Sequence, residues 1–358
     1  YVDGRKVAGL EADDPIFVSY EQECPFDDIP TYHKNPELLK MESSHGHDCS
    51  LINGIGRIGY MKGGKKARWK DEELAEAFLK RAVSFVEKSC EKEQPFFLYY
   101  ALHQPHVPRV PSKRFQGATK LGARGDVIAE MDWCIGELLD KLEELGIREE
   151  TILIFSSDNG PVLDDGYRDQ ARELNGTHRP AGALRGGKYS RFEGGTRIPF
   201  LVSCPGLVRR GVSDALIGQV DLYASFAHML GVSLSDEDAA DSCDLYSALI
   251  GAEPEGRTEI LTEDLGCRKM LRVKNWVYLS PGEGSPYMEQ VDIETGASKD
   301  PQLYRLDYDA GQRENVAWEH PELTEKMERR IQEILKSGRT REDIEYGKKT
   351  ESGIYCPG

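Results

Sequence analysis

The chain has 358 residues, 30% of them charged, and a formal net charge of −16, so it is long enough for a large core in two structural units. The acidic balance argues against nucleic acid or an acidic membrane surface as a partner, because both bind basic patches. Eight cysteines without a Cys-x-x-Cys pair argue against zinc ribbons and thioredoxin-like sites, and no apolar run approaches the length of a membrane span.

Residues 1–70 are rich in proline and turn-forming residues, which predicts a loop that wraps a core. Within this stretch, His45 and His47 flank a glycine and are followed by Asp48. Two imidazoles and a carboxylate in this spacing are compatible with two interpretations. They either lie in a solvated loop or face a metal ion or an anionic ester.

Two helices and two buried strands are predicted next. Apolar residues three and four apart predict one helix from Asp71 and another through residues 128–145 that stops at Gly146. Apolar runs at 96–102 and 151–155 predict strands, so helices and strands alternate as in an α/β sheet with helices on both faces. Ligands of such sheets collect beyond the carboxyl ends of strands, where His106 and Asp158 fall.

Asp158 and Asn159 offer two hard oxygen ligands at the end of the second strand. An isolated carboxylate at the edge of an apolar sheet is costly unless a cation or hydrogen-bond donors meet it. These oxygens suit a hard divalent ion such as calcium. A solvated Asp-Asn-Gly turn remains the alternative for this motif taken alone.

The last hundred residues predict a different architecture. A strand at 198–203 and a short helix at 220–230 complete the first part, which we assign to residues 1–256. Beyond residue 257, alternating segments predict a small antiparallel sheet, and a helix from Pro321 is expected to cover it before a charged tail. Residues 257–358 are therefore predicted to form a separate subdomain.

Motifs spread over most of the chain resemble, in their order, those of the sulfatase family of the alkaline-phosphatase-like superfamily. They are the apolar run ending in His-Val-Pro (95–108), the Ser-Asp-Asn-Gly turn (156–161), the Gly-Gly-Lys loop (186–188) and the Glu-Gly-Gly-Thr-Arg-Ile-Pro segment (193–199). Two further landmarks lie downstream, at 219–225 and 303–317. The resemblance implies an alkaline-phosphatase-like α/β fold, calcium as the metal, and hydrolysis of sulfuric esters. Expected substrates are aryl or glycan sulfates.

The resemblance also assigns roles to residues of this chain. It implies that His106 and Lys188 are catalytic, that Asp158 and Asn159 bind the metal, and that all four converge on one hollow. We expect four further residues to contact substrate, namely His45, His47, Asp165 and His178. Glu193 and Arg197 are expected to form a structural ion pair that braces the Gly-Gly turn.

Three features of the family do not occur in this sequence: an amino-terminal pair of metal-binding aspartates, a Gly-Lys-x-His segment and the motif that supplies the nucleophile. Relatives carry a Cys- or Ser-x-Pro-Ser-Arg segment, whose first residue becomes the formylglycine nucleophile, and none of the eight cysteines stands in such a context. We expect the chain to be the carboxy-terminal portion of a sulfatase, inactive alone, with the missing amino-terminal segment as its partner. Export to the periplasm is compatible with this expectation, since a leader would then lie upstream.

Two other functions remain open at this stage. A phosphodiesterase or phosphonate hydrolase of the same superfamily would use an unmodified serine or threonine as nucleophile. A non-catalytic relative would bind a sulfated glycan and turn over nothing. The coding sequence upstream of Tyr1 would distinguish these functions.

Overall fold

The computed structural model describes residues 1–235 and 237–341. The chain divides into two compact units. Unit 1 consists of Tyr1–Arg148 and Leu163–His178, and unit 2 of Glu149–Val162 and the chain from Arg179 onward. The predicted boundary near residue 256 stays a prediction. Of the charged tail predicted after Gly338, residues 342–358 lie outside the described residues.

Unit 1 begins with short antiparallel hairpins, as expected for a loop-rich segment. The hairpins pair β1 with β2, β3 with β6 and β4 with β5. These strands are β1 (Val2–Asp3), β2 (Lys6–Val7), β3 (Phe17–Ser19), β4 (Leu51–Ile52), β5 (Ile55–Gly56) and β6 (Tyr60–Lys62). Because each strand has only two or three residues, turns and bridges carry most of the structure of this segment.

Two long helices follow, and both confirm the apolar periodicity. They are α1 (Leu74–Glu91) and α2 (Gly122–Glu144). Their buried stripes meet through Ala75 and Leu79 of α1 and Cys134 of α2. Gly146 follows α2 with φ +70°, a backbone conformation that ends helices.

The strand predicted at residues 96–102 is absent from the described structure, which corrects the expectation. Residues 96–102 do not form a β-strand in the structure. An apolar run becomes a strand only when its backbone groups pair with those of a neighbouring strand. Phe97 and Tyr99 on this segment are largely exposed. Beyond it the chain turns, and Val107 packs in a small core with Ile55 and Tyr167.

Unit 2 opens with two antiparallel strands, β7 (Leu153–Ser156) and β8 (Phe200–Ser203), in which Ile154 pairs with Val202. The helices around these strands are short. They are α3 (Glu193–Thr196), α4 (Leu222–Met229) and α5 (Tyr246–Leu249).

A four-stranded antiparallel sheet in strand order β14, β11, β10, β9 confirms the C-terminal sheet that the alternating pattern predicted. Its strands are β9 (Glu259–Glu263), β10 (Lys269–Val273), β11 (Trp276–Leu279) and β14 (Gln302–Arg305), and a hairpin of β12 (Tyr287–Met288) and β13 (Ile293–Glu294) precedes β14.

Helix α6 (Pro321–Ser337) covers the sheet with Met327, Ile331 and Ile334. Proline occupies the first helical position and Gly338 ends the helix with φ +70°, as the sequence indicated. Within the described residues, no helix combines the length and apolar character needed to cross a membrane.

Candidate active site

His106 lies in unit 1 on the turn that follows the extended segment. Its Nδ1 donates a hydrogen bond to the Val107 carbonyl at 2.8 Å, and its Nε2 lies 3.6 Å from Oδ2 of Asp165. The imidazole is about half exposed, whereas Asp165 is buried. Both ring nitrogens therefore face acceptors, and Nε2 is the nitrogen beside the Asp165 carboxylate.

A second loop brings further predicted residues to the same place. The Ser44 amide donates to the Gly166 carbonyl at 3.0 Å, which joins the histidine loop to the loop carrying Asp164 and Asp165. The Ser44 hydroxyl donates to Oδ1 of Asp164 at 2.6 Å, and Nδ1 of His45 lies 4.0 Å from the same oxygen. A hydroxyl and a carboxylate thus orient His45.

His47 is held between a backbone carbonyl and an aromatic ring. Its Nδ1 donates to the His45 carbonyl at 3.0 Å, and its ring lies 4.4 Å from the Tyr167 ring, centroid to centroid. Burial lowers the pKa of His47 below the usual histidine value. His47 is therefore neutral at pH 7, and its Nε2 is an acceptor for a hydroxyl or amide of a ligand.

These residues form what we call the histidine cluster, which includes three of the four predicted substrate contacts. Its members are Ser44, His45, His47, His106, Asp164 and Asp165. Sequence reasoning missed Ser44. The fourth predicted contact, His178, is exposed on the loop after Glu173–Asn175, and its amide donates to the Asn175 carbonyl at 3.1 Å.

The predicted metal ligands lie in unit 2, directly after β7. The exposed Asp158 accepts a hydrogen bond from the Asn159 amide at 2.9 Å, and Nδ2 of Asn159 donates to the Gly160 carbonyl at 2.9 Å. The Gln219 side chain donates to the Ser157 carbonyl at 2.8 Å. Gln219 stands in a sequence landmark, but its contact with this turn was not foreseen.

Two backbone hydrogen bonds fasten this turn to the segments that carry Lys188 and the Gly-Gly pair. The Lys188 amide donates to the Pro161 carbonyl at 2.9 Å, and the Gly160 amide donates to the Gly195 carbonyl at 2.8 Å. A Cβ at Gly160 would lie 1.8 Å from the Gly194 carbonyl oxygen, so only glycine permits this approach.

Arg185 fixes the turn that precedes Lys188. It forms two hydrogen bonds with Glu294, at 2.5 and 2.9 Å, and donates to the Gln312 carbonyl at 2.7 Å. Its guanidinium carbon lies 4.0 Å from the centroid of the Phe192 ring. Arg185 and Glu294 lie 109 residues apart in the chain, so no local pattern indicates the pair.

Glu193 pairs chiefly with Arg272, which corrects the expected partner. Nη1 of Arg272 lies 2.9 Å from Oε2 of Glu193, whereas the predicted partner Arg197 approaches only to 4.0 Å. Burial raises the pKa of Glu193 above the usual glutamate value. The role is structural, as predicted, but it connects α3 to the four-stranded sheet.

The chemistry of Asp158 and Asn159 fits a hard cation as part of a coordination shell. Calcium takes six to eight oxygen ligands, and these two side chains supply adjacent carboxylate and carboxamide oxygens. Within residues 1–235 and 237–341, no group of three or more His, Cys, Asp or Glu is arranged to hold a metal ion. The predicted convergence of His106 with Asp158, Asn159 and Lys188 stays a prediction, because His106 belongs to unit 1 and the others to unit 2.

Comparison with known proteins identifies the family. The family model described as Sulfatase matches residues 17–232, which is more than half of the chain. An N-acetylgalactosamine-6-O-sulfatase of Bacteroides thetaiotaomicron is 44% identical over 341 residues, covering 95% of this chain and 65% of that protein. The human N-acetylgalactosamine-6-sulfatase is 34% identical over 178 residues, covering 49% of this chain and 32% of that protein. The chain thus spans less than two thirds of the length of these relatives.

Solved structures agree on the fold. A Bacteroides thetaiotaomicron structure from work on glycosaminoglycan metabolism superposes with a TM-score of 0.87 at 44% identity, covering 93% of this chain and 68% of that chain. PsFucS1 sulfatase from Pseudoalteromonas sp. superposes with a TM-score of 0.61 at 23% identity, covering 75% and 55%. These neighbours confirm the predicted alkaline-phosphatase-like α/β fold. The chain belongs to the sulfatase family.

Proposed function

We propose that this chain forms the sulfate-binding and proton-donating part of a sulfuric ester hydrolase. The observation that carries the proposal is the fastening of the Asp158 turn to the Lys188 turn through the bond from the Lys188 amide to the Pro161 carbonyl. This bond joins two hard oxygen ligands and a primary amine in neighbouring turns, the groups that a sulfate ester and its metal require. Membership of the sulfatase family supports the same function.

Each candidate residue has a distinct role in this proposal. Asp158 and Asn159 hold calcium, which supplies positive charge to the sulfate oxygens when it is bound. Lys188 donates to a sulfate oxygen, where charge develops during cleavage of the S–O bond. His106 donates a proton to the departing alcohol from Nε2, the ring nitrogen that is not engaged with the Val107 carbonyl.

The nucleophile, in this proposal, is a formylglycine on a segment that does not occur in the given sequence. None of the eight cysteines stands in a Cys-x-Pro-Ser-Arg context, so none is a substrate for the conversion. We therefore expect the chain alone to bind a sulfate ester without hydrolysing it. Addition of the upstream coding sequence, together with a formylglycine-generating enzyme, is expected to produce turnover.

The proposed substrate is a 6-sulfated N-acetylgalactosamine within a glycan. This proposal rests on the 44% identity, across 95% of this chain, to a protein named for that activity. The neutral His47, whose Nε2 can accept from a sugar hydroxyl or acetamide, is compatible with a carbohydrate ligand. His45, Asp165 and His178 are proposed as further contacts to the sugar, and export to the periplasm would bring the protein to such a glycan.

A matched set of sulfated substrates tests this function. The chain alone, and the chain with its upstream sequence, are assayed on N-acetylgalactosamine 6-sulfate, its 4-sulfate isomer, and an aryl sulfate. We expect hydrolysis of the 6-sulfate only by the longer protein. Robust hydrolysis by the chain alone would show that the nucleophile is already present, and preference of the longer protein for the 4-sulfate would refute the proposed substrate.

A further inference from the structure

A single buried guanidinium connects the two loops that carry His106 and Asp165. Nε of Arg109 donates to the Pro105 carbonyl at 3.0 Å, one residue before His106. Nη1 of Arg109 donates to the Leu163 carbonyl at 2.7 Å, two residues before Asp165. One rigid planar group therefore fixes the spacing between the two loops.

The guanidinium is itself fixed by a carboxylate from the second loop. Nη1 of Arg109 lies 2.8 Å from Oδ2 of Asp169, and both side chains are only 2% exposed. The other oxygen of Asp169 accepts from the Ala171 amide at 3.0 Å. A second buried arginine, Arg124, has a lowered pKa through burial and the nearby charge of Arg109. The orientation of Arg109 thus depends on a charge that water does not reach.

The contact that depends on this spacing is long. Nε2 of His106 and Oδ2 of Asp165 are 3.6 Å apart, beyond the distance of an ordinary hydrogen bond. The separation of the two loops therefore sets how closely the imidazole approaches Asp165. Proton transfer to a leaving group requires placement of the donor within about 0.5 Å.

We propose that Arg109 and Asp169 are positioning residues of the sulfate-ester site, which hold the His106 turn and the Asp165 loop at the separation that proton donation requires. Neither residue contacts the substrate in this proposal, and both act through His106. The inference rests on the proposed function for its kinetic consequence. Its geometric part, the control of His106 by Arg109 and Asp169, is independent of that function.

The test compares three variants. Asp169→Asn keeps the side-chain shape and removes the charge that orients Arg109. Arg109→Lys keeps the positive charge and removes the planar fork that spans the two loops. Glu259→Gln is the control, because Glu259 on β9 pairs with Arg330 on α6 at 2.6 Å in unit 2, and its side chain is 15% exposed. If Asp169→Asn does not fold, Arg109→Lys alone decides the test.

Two readouts separate positioning from simple stabilisation. The first is the NMR resonance of the His106 Hε1 proton in the chain itself, assigned among the eight histidines by its loss in His106→Gln. The second is kcat and KM for the sulfated sugar, measured in the form of the protein that turns over. We expect Asp169→Asn and Arg109→Lys to move the His106 resonance and to lower kcat by about 100-fold with little change in KM. Glu259→Gln should leave both readouts at the wild-type value.

The outcomes are distinct for the two proposals. If Asp169→Asn lowers the unfolding midpoint but leaves the His106 resonance and kcat unchanged, Arg109 and Asp169 only stabilise the fold and the inference is wrong. A fall in kcat in Arg109→Lys without movement of the His106 resonance would also overturn it. If the wild type hydrolyses no sulfate ester, the proposed function fails, and the resonance alone still decides whether Arg109 and Asp169 control His106.

Discussion

Substitution of Gly166 by alanine should disorganise the histidine cluster and lower stability more than its backbone conformation alone would cause. Gly166 has φ +115°, and a Cβ built on it would lie 2.1 Å from Nδ1 of His47 and 2.3 Å from its Cε1. Both atoms belong to the imidazole, so the ring must leave its place. Gly46 provides a matched control, because it has φ +70° in the same cluster but a Cβ there meets nothing within 4 Å.

The structure gives the expected magnitudes. An alanine at positive φ costs about 1–3 kcal/mol, with the lower end expected at Gly46, whose φ is close to the left-handed helical region, and the upper end at Gly166. Displacement of His47 from Tyr167 removes a ring contact worth about 0.5–1.5 kcal/mol. Loss of the bond from His47 to the His45 carbonyl costs about 0.5–1.5 kcal/mol more. Through these two losses alone, Gly166→Ala should therefore lower the free energy of unfolding by about 1–3 kcal/mol more than Gly46→Ala does.

Urea denaturation of the two variants and the wild type measures this difference, provided that the three transitions have the same slope. Isothermal titration with N-acetylgalactosamine 6-sulfate adds a functional readout, in which Gly166→Ala should bind more weakly than Gly46→Ala. Equal losses of stability together with equal affinities would refute the reasoning, since His47 would then tolerate a Cβ that the geometry excludes.

Three further predictions concern unit 2. Arg272→Met should lower the free energy of unfolding by about 3–5 kcal/mol, because it leaves the buried carboxylate of Glu193 with only the distant Arg197 as a partner. Arg197→Met, on a half-exposed side chain 4.0 Å away, should cost no more than about 1 kcal/mol by the same measurement. Arg185 lowers the pKa of Glu294, so the stabilisation by this pair is present above the unfolded-state pKa and is lost as pH falls through the lower folded-state pKa. The difference in unfolding free energy between wild type and Glu294→Gln should therefore narrow in acid. A constant difference from neutral to acid pH would contradict this prediction. Lys188→Ala should lower kcat by about 100-fold in the longer protein that hydrolyses the ester. The control Lys299→Ala, on an exposed side chain, should leave kcat unchanged. An unchanged kcat in Lys188→Ala would contradict the proposed role of Lys188.

The elements that the sequence predicted are those whose signals are local. Helices α1, α2 and α6 follow apolar stripes with helical spacing, and Gly146 and Gly338 mark two of their ends. The antiparallel sheet follows from short alternating segments separated by turns. The same reasoning failed at residues 96–102, because pairing of a strand depends on a neighbour that an apolar run does not specify.

In the candidate site, too, local sequence patterns predicted the candidate functional residues but not the distant residues that hold them. His45, His47, Asp165 and His106 were proposed from residue type and family resemblance, and the structure brings these four together within unit 1. The residues that hold such groups in place were missed. Asp169 lies 60 residues from Arg109, and Arg272 lies 79 residues from Glu193. An ion pair between such distant positions leaves no pattern in a single sequence.

The net charge of −16 raises the question of which cations attract an anionic substrate to this protein. Arg109 and Arg185 lie beside the candidate functional turns, but the positive charge of each is neutralised by a paired carboxylate. Asp169 pairs with Arg109 and Glu294 pairs with Arg185, so neither arginine attracts an anion strongly. Their role is to hold backbone carbonyls in place. A sulfate ester approaching so acidic a protein must therefore gain its attraction from other cations. In unit 2 the proposed cations are Lys188 and the calcium that Asp158 and Asn159 would hold. Removal of the metal with a chelator should therefore weaken binding of the sulfated sugar to the wild type more than to Asp158→Ala.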